Sequence, residues 1–384
     1  MKNKPKQGIL IAFGELFLKS KGVKEELKQK LSENIQKILT KKEADFNIVN
    51  LRERIFIETK EIKKTKQIIK HTPGVTWSTE VIAFKEKDFE EVNYFIKTNY
   101  SSWIKNNESF ALEVKKGDSK KSTQEIIEKA AENIKRKVNL DNPDKKIFIE
   151  KRKNYWFIYF KKNKAIGGLP IKTQGKVACL MSGGIDSPVA SYLTLKRGAE
   201  NIWIHFHSFP LTSKSSIEKN QRLAKIFLSY QPNLKLYLIP FTNIQKEIKT
   251  KTNPKYRVLL YRRMMLRIAK KIAEKENCQA LVTGESLGQV SSQTLNNMQI
   301  TQKSVNQLIL RPLIGMNKEE IMNLAKRINT YEISIEPQED CCTLFVPKKQ
   351  TAEGKLEKVK KLEEELEINA LINNSLKNME IQSF

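Results

Sequence analysis

The sequence predicts an α+β N-terminal half followed by an α/β half built on a doubly wound parallel sheet. Up to residue 165, neighbouring strands are interrupted irregularly by amphipathic helices, as in α+β units. Beyond Gly175, single short apolar strands alternate with helices, which is the pattern of a parallel sheet. Gly167, Gly168 and Pro170 separate the two patterns and indicate a boundary.

The chain of 384 residues is long enough for two to four domains, and we divide it into 1–60, 61–166 and 167–384. In the first unit, apolar residues at helical spacing predict a helix from Val23 to Leu39. The strands predicted in this unit span residues 8–13, 46–51 and 54–59.

The second unit begins before a break at residues 71–74 and reads as an α+β sandwich. Ser122 and Glu125 have the spacing of a capping box and predict a helix start. We extend that helix to Val138. The other predicted elements are helices over 62–70 and 88–103 and strands over 75–84, 109–114, 147–150 and 155–160.

In the third unit, ligands are expected at the carboxyl ends of the strands, beside the point where the strand order reverses. The strands predicted here span residues 177–181, 201–206, 234–239 and 280–283. The predicted helices include 190–196, 217–228, 256–274 and a single charged helix over 352–376.

The chain is strongly basic, with 70 Lys and Arg against 43 Asp and Glu and a net charge of +27. This excess predicts a polyanionic partner, either nucleic acid or an anionic membrane surface. A genome that favours lysine would give the same excess, but local clusters favour a binding surface. These clusters are Lys151–Arg152–Lys153, Lys161–Lys162 with Lys164, and Arg262–Arg263 with Arg267.

Several classes of protein are disfavoured. The longest apolar runs are far shorter than the ~18 residues of a membrane span, and the basic N-terminus lacks a signal-peptide cleavage site. Four cysteines, two of them adjacent, do not make a disulfide framework. We therefore expect a reduced, cytoplasmic protein with no membrane partner. His205 and His207 share one strand face, but without a third ligand nearby in sequence they predict no metal site.

A glycine-rich turn connects the strand over 177–181 to the next helix and reads LMSGGIDSP over 180–188. Gly183 and Gly184 allow a tight turn with exposed N–H groups, and Ser182 and Ser187 add hydroxyl donors. A helix N-terminus behind them supplies a positive field, so the turn predicts an anion cradle. It is neither a Walker A loop nor a dinucleotide fingerprint. An ordinary turn with accidental glycines is disfavoured by the full string.

This string resembles the PP-loop of the ATP pyrophosphatase superfamily, SGGxDS, whose members cleave ATP between the α and β phosphates and adenylate a carbonyl oxygen. Three further strings narrow the resemblance: YRRMMLR at 261–267, TGESLGQVSSQT at 283–294 and PQEDCCTLF at 337–345. Together, from about residue 8 to 349, they resemble the tRNA 4-thiouridine synthetases, or tRNA sulfurtransferases.

The resemblance implies a ferredoxin-like region, a THUMP RNA-binding domain and a PP-loop domain. It also implies adenylation of uridine at tRNA position 8 and replacement of O4 by sulfur from a persulfide, and sulfur transfer toward the thiazole of thiamine. ATP with Mg²⁺ would be the cosubstrate. The implied partners are tRNA, a cysteine desulfurase and a thiazole sulfur-carrier protein, while formation of a homodimer is left open.

The resemblance further implies the nucleotide site. Asp186 would be catalytic as well as ATP-binding, and the backbone at His205 and Phe206 would lie against adenine. Arg262 would contact ATP, although a solvated helix arginine is the alternative. The full implied ATP-binding set is Leu180, Met181, Ser182, Gly183, Gly184, Asp186, Ser187, His205, Phe206, Arg262, Gly284 and Gln293.

RNA binding is predicted where cations and aromatics mix, over residues 151–164. Strand alternation buries some of the aromatic residues, so we assign affinity mainly to Lys151, Arg152 and Lys153.

Sulfur transfer needs a cysteine in an exposed loop, and the adjacent Cys341 and Cys342 meet this requirement. Family members with a single cysteine here match Cys341 better, so the resemblance assigns catalysis to it. A buried pair or a strained vicinal disulfide is the alternative. Some members carry a rhodanese domain with the persulfide cysteine, but the residues after Cys342 are too few for one. Cys179 and Cys278 lie in or beside buried strands and are predicted to be core residues.

Two other functions remain as alternatives. Another AMP-forming PP-loop ligase would lack an RNA-binding half and would need an ammonia source. A non-catalytic RNA-binding protein would not need an intact Ser182, Gly183, Gly184 and Asp186.

Overall fold

The computed structural model describes residues 4–14, 20–339, 344–345 and 350–384. The chain divides into two compact units, residues 1–170 and residues 171–384. Cys341 and Cys342 lie outside the described residues. The predicted divisions at residues 60 and 166 stay predictions.

Unit 1 contains one large sheet with helices packed on it. Its helices are α1 (Lys21–Lys41), α2 (Ile62–Lys70), α3 (Phe89–Trp103) and α4 (Thr123–Glu132). Its strands are β1 (Lys6–Phe13), β2 (Asn47–Asn50), β3 (Ile55–Glu58), β4 (Val75–Lys85), β5 (Ser109–Lys115), β6 (Lys137–Val138), β7 (Lys145–Arg152), β8 (Tyr155–Tyr159) and β9 (Asn163–Lys164). In the described part of the unit the strand order is β2-β3-β1-β4-β8-β7-β5-β6, and β9 pairs with β4.

The sheet of unit 1 is strongly curled. The ring of Phe56 on β3 lies 5.6 Å from that of Tyr155 and 5.2 Å from that of Phe157, both on β8. Two strands, β1 and β4, separate β3 from β8. Because neighbouring strands are about 4.8 Å apart, a flat sheet would hold β3 and β8 about 14 Å apart. The curl lets one face enclose an aromatic core while the other face packs against the helices.

A buried carboxylate, that of Glu150, lies in this enclosed face. One oxygen lies 3.0 Å from Nε of Arg54 and accepts a 2.7 Å hydrogen bond from Nε of Arg152. The hydroxyl of Tyr159 donates to the other oxygen at 2.9 Å. Burial together with this carboxylate raises the pKa of Tyr159, which therefore stays protonated. The cluster joins Arg54, the residue just before β3, to β7 and β8 across the curl.

Replacing Glu150 with alanine should lower the free energy of unfolding of unit 1 by about 3 kcal/mol, because the largely buried guanidinium group of Arg54 loses this counter-ion and that of Arg152 keeps only its 3.4 Å contact with Glu53. Urea unfolding followed by tryptophan fluorescence suits this test, since Trp77, Trp103 and Trp156 lie in unit 1. The matched control is Glu86→Ala at the surface, which should cost less than about 1 kcal/mol. Equal effects of the two substitutions would contradict a role for Glu150 in holding the curl.

Unit 2 is the α/β half. Its strands are β10 (Lys176–Met181), β11 (Glu200–His207), β12 (Lys235–Pro240), β13 (Ala280–Val282), β14 (Leu308–Leu310) and β15 (Glu380–Ser383). Its helices are α5 (Asp186–Lys196), α6 (Ser215–Phe227), α7 (Thr242–Lys251), α8 (Arg257–Lys275), α9 (Leu295–Gln302), α10 (Lys318–Arg327), α11 (Tyr331–Ser334), α12 (Leu356–Glu364) and α13 (Ile368–Lys377). In the described residues the strand order is β14-β13-β10-β11-β12-β15, and all neighbours pair in parallel except β15, which is antiparallel to β12.

Two predicted helices were wrong. The helix begun by the Ser122–Glu125 capping box ends at Glu132, and Lys137–Val138 is a strand. The side-chain amide of Asn133 binds the carbonyl of Lys129 at this end, which competes with continuation of the helix.

The single helix predicted over 352–376 is instead two helices, α12 and α13. Val359 and Ile372 are both buried in the core of unit 2. In one continuous helix, residues 13 positions apart would point about 220° apart around the axis. A break between the helices lets both side chains face the same core.

Candidate functional site

The strand order of unit 2 reverses between β10 and β13. From the central β10, the chain first adds β11 and β12 on one side and then β13 and β14 on the other. A cavity of about 630 Å³ lies at the carboxyl ends of β10 and β13, where a doubly wound sheet binds its ligands. Seven of the predicted ATP-binding residues line it: Leu180, Ser182, Asp186, Ser187, Arg262, Gly284 and Gln293.

The other five predicted residues, Met181, Gly183, Gly184, His205 and Phe206, are not among the described residues that line this cavity. The ring of His205 is fully buried, with Nδ1 2.9 Å from the carbonyl oxygen of Met181 and Nε2 3.2 Å from the hydroxyl of Ser216. Burial lowers the pKa of His205 to about 4, so the ring is neutral at pH 7. It ties the end of β10 to α6. The ATP-binding roles of all twelve residues stay predictions, whether or not they line the cavity.

The turn after β10 has the geometry of an anion cradle. Gly183 adopts a φ of +80°, which favours glycine. The amide of Ser182 donates to the hydroxyl of Ser187 at 3.1 Å, and the amide of Gly184 donates to the hydroxyl of Ser182 at 3.2 Å. No side chain in the described residues caps the N-terminus of α5. Its first amides and positive field are therefore available to an anion.

Asp186, the first residue of α5, is held by two side chains from distant parts of unit 2. Nζ of Lys318 lies 2.6 Å from one carboxylate oxygen, and the amide of Gln289 donates to the other at 2.9 Å. Lys318 opens α10, whose start is fixed by a capping box of Asn317 and Glu320. Sequence reasoning missed Lys318. The capping box indicates where the helix begins, but no feature of the sequence predicts that this helix start contacts Asp186.

Arg262 is held at the cavity wall by Glu285. Nη1 of Arg262 lies 2.6 Å from one oxygen of this carboxylate, and Nε of Arg311 lies 2.7 Å from the other. The hydroxyl of Thr283 also donates to Glu285 at 3.0 Å. Glu285 lines the cavity and is buried, so its charge is balanced by two guanidinium groups. Arg262 is therefore an oriented side chain rather than a solvated one.

Gly284 follows β13 and packs against the start of α5. A Cβ atom at this position would lie 3.0 Å from the carbonyl carbon of Asp186 and 3.0 Å from the amide nitrogen of Ser187. The backbone of the PP-loop helix thus occupies the space that a side chain would need. Gly284 also lines the cavity, and its role in ATP binding stays a prediction.

The comparisons with known proteins give the family. Residues 172–368 match the model of the thiamine biosynthesis protein (ThiI), residues 8–78 that of the ThiI ferredoxin-like domain and residues 86–161 that of the THUMP domain. The chain belongs to the ThiI family. These matches confirm the predicted ferredoxin-like, THUMP and PP-loop fold classes.

Relatives of this ThiI-family chain are named probable tRNA sulfurtransferases. One from Thermoanaerobacter sp. (strain X514) is 38% identical over 95% of this chain and 97% of its own length. Another, from Alkaliphilus metalliredigens (strain QYMF), is 36% identical and covers 97% of both chains. A solved structure described as a 4-thiouridine synthetase–RNA complex with bound ATP is 30% identical, has a TM-score of 0.89 and covers 99% of this chain and 100% of that chain.

The predicted RNA-binding residues of this ThiI-family chain lie at the turn from β7 to β8. Nζ of Lys151 lies 5.2 Å from the ring centre of Trp156, and burial lowers its pKa. Arg152 pairs with Glu150 at 2.7 Å and with Glu53 at 3.4 Å, so its charge is already balanced. Lys153 is exposed. The turn therefore offers two lysines rather than three free cations.

None of the helices in the described part of the chain has both the length and the apolar character needed to cross a bilayer. No three His, Cys, Asp or Glu side chains in that part of the chain come together as metal ligands.

Proposed function

We propose that the protein is an ATP-dependent tRNA sulfurtransferase that adenylates uridine 8 of tRNA and replaces its O4 with sulfur, giving 4-thiouridine. The observation that carries the proposal is the switch-point cavity, because the PP-loop and two arginine-bearing elements meet there. The family membership supports tRNA as the acceptor.

The described side chains suit AMP transfer from ATP. The uncapped start of α5 and the hydroxyls of Ser182 and Ser187 would bind phosphate oxygens. Lys318 and Arg262 would balance the charge that develops as pyrophosphate leaves. Asp186 would orient Lys318. In this reaction the uridine O4 attacks the α-phosphorus, and the bond from that phosphorus to the bridging oxygen of pyrophosphate breaks.

The site also fits the Mg²⁺ that accompanies ATP. Mg²⁺ binds one or two carboxylates, phosphate oxygens and water, and Asp186 supplies a carboxylate at the cavity wall. The ion would neutralise phosphate charge when bound.

Sulfur transfer is proposed at Cys341, which lies outside the described residues. Before it, the amide of Gln338 donates to the carbonyl of Ser182 in the PP-loop at 2.9 Å, and after it Gln350 lines the cavity wall. The terminal sulfur of a persulfide on Cys341 would attack C4, and AMP would leave with the former O4. A second thiol would then cleave the S–S bond, giving 4-thiouridine and a disulfide.

Reconstitution tests the proposal. Purified protein, ATP, Mg²⁺, unmodified tRNA and a cysteine desulfurase with cysteine should yield AMP, pyrophosphate and tRNA that contains 4-thiouridine, detected by mass spectrometry of the nucleosides. Omitting ATP should abolish the product. If AMP forms only when a small amine replaces tRNA as the acceptor, the protein is instead an amidating ligase. If no ATP is consumed with either acceptor, it is a non-catalytic RNA-binding protein.

We also propose sulfur transfer toward the thiamine thiazole, through a sulfur-carrier protein. The support is the description of the matching family model as a thiamine biosynthesis protein. Growth of a deletion strain without thiamine, compared with growth when the thiazole is supplied, tests this role.

Replacing Lys151 and Lys153 with glutamine should weaken tRNA binding and make its salt dependence shallower by about 0.7–0.9 units of slope per lost phosphate contact. Arg152 is left unchanged because it pairs with Glu150. The measurement is the slope of log Kd against log salt concentration. The control removes two exposed lysines of unit 2, Lys358 and Lys361, in the same way. An unaltered slope in the first variant would remove this turn from the RNA interface.

A further inference from the structure

Residues 334–339, which we call the arm, run from the end of α11 to the last described residue before the two cysteines. Residues in α6 and in the turn before it bind the arm at several points. Arg222 forms two hydrogen bonds of 2.6 Å with the carboxylate of Glu336. The carboxylate of Glu339 accepts a 3.0 Å hydrogen bond from the amide of Ser213, just before α6, where the helix field favours a negative charge.

The most deeply buried of these anchors is Lys219 of α6, only 3% exposed. Its ammonium donates to the carbonyl oxygen of Glu336 at 2.5 Å and to that of Ser334 at 3.3 Å. Burial lowers the pKa of Lys219. Burying an ammonium is costly unless it is hydrogen-bonded, so an apolar side chain would pack here at lower cost. The retained charge binds the arm's backbone.

The arm and Lys219 also contact the PP-loop. A Cβ atom at Gly183 would lie 2.7 Å from the side-chain oxygen of Gln338 and 3.3 Å from Cδ of Lys219. The amide of Gln338 binds the carbonyl of Ser182. Lys219 therefore touches both the loop expected to bind ATP and the backbone that leads to the cysteines.

The chain is anchored again beyond the cysteines. The carbonyl of Phe345 accepts a 2.8 Å hydrogen bond from Arg257, and Nζ of Lys249 lies 4.0 Å from the centre of its ring. The described chain on both sides of Cys341 and Cys342 is thus bound to unit 2 by cationic side chains.

We propose that Lys219 is a positioning residue for sulfur transfer, which holds the arm against the PP-loop so that the following cysteine reaches the adenylated uridine. This inference rests on the proposed function. The role of Lys219 is confined to the second half of the reaction, because its ammonium binds the carbonyls of the arm and Lys219 is not among the described residues that line the cavity.

The test compares two half-reactions in single-turnover experiments with Lys219→Met, which keeps the aliphatic stem beside Gly183 but removes the ammonium. We expect the pyrophosphate burst to stay within about twofold of wild type. The yield of 4-thiouridine per pyrophosphate should fall about tenfold or more, because a small displacement of a reacting group is costly. The control is Lys225→Met, an exposed lysine on the same helix, which should leave both quantities unchanged.

A merely structural role for Lys219 would lower the burst and the thiolation yield in parallel, and that result would overturn the inference. So would an unchanged yield per pyrophosphate. If Lys219→Met does not fold, Gln338→Ala replaces it, since this variant releases the arm from Ser182 at a less buried position. An unchanged yield in that variant would then overturn the inference. Cys341→Ser is measured in parallel. If Cys341→Ser loses thiolation while Lys219→Met keeps the wild-type yield of 4-thiouridine per pyrophosphate, the inference about Lys219 is rejected and the proposed function is not.

Discussion

Replacing Asp186 with asparagine should lower tRNA-dependent pyrophosphate release by about 10²–10³-fold while leaving tRNA affinity nearly unchanged. The carboxylate pairs with Lys318 at 2.6 Å, and asparagine keeps the shape but loses the charge that orients this lysine. A misoriented cation no longer opposes the charge that develops on the leaving pyrophosphate. The measurement is single-turnover release of pyrophosphate from γ-labelled ATP, with tRNA affinity measured separately by filter binding.

Two further variants sharpen this test. Lys318→Met removes the other partner of the ion pair and should slow pyrophosphate release to a similar degree. The double variant should be little slower than either single one, because residues that act as a unit are not additive. Glu364→Gln, an exposed charge change on α12, should have no effect. If Asp186→Asn releases pyrophosphate at the wild-type rate, Asp186 has no role in adenylation.

Local features of this fold could be predicted from the sequence because their causes are local. Ser122 and Glu125 form the capping box that their spacing predicts, with both reciprocal hydrogen bonds present. The PP-loop follows a buried strand and opens a helix, as the apolar run and the glycines indicate. The strand Leu308–Leu310 was missed although the equally short Ala280–Val282 was predicted, because three apolar residues alone do not distinguish a strand from a loop.

The parts of the site that could not be predicted depend on contacts between distant segments. Lys318 lies 132 positions from Asp186, and its own surroundings in the sequence predict only the start of a helix. Glu285 and Arg311 are likewise joined only because β13 and β14 are neighbours in the sheet. Such pairs follow from strand order, which no single motif specifies.

The assignment of Arg152 shows where an available signal was overlooked. Glu150 and Arg152 are two positions apart on β7, so alternation puts them on the same face. That spacing indicated an internal ion pair, and the structure contains it. The predicted positive charge at this turn was too high, because the cluster of three cations was considered without Glu150 on the same face.

Replacing Cys341 with serine should abolish 4-thiouridine formation, with a loss of about 10³-fold or more, and leave the pyrophosphate burst intact. A serine hydroxyl cannot carry a persulfide, and the substitution changes the volume of the side chain only slightly. Of the four cysteines, Cys179 and Cys278 are unsuited to this role. Both are buried, and burial raises the pKa of each thiol to about 12, so that neither forms a thiolate at pH 7.

The adjacent thiol provides the matched control for this prediction. Cys342→Ser should retain part of the thiolation activity, since the proposed persulfide forms on Cys341. Mass spectrometry of the intact protein after incubation with a cysteine desulfurase should show added sulfur on Cys342→Ser and none on Cys341→Ser. If Cys341→Ser thiolates tRNA at the wild-type rate, the sulfur carrier is elsewhere. If instead Cys342→Ser alone loses both the persulfide and the product, the two cysteines exchange roles, and the anchors at Gln338 and Phe345 would serve the second cysteine in the same way.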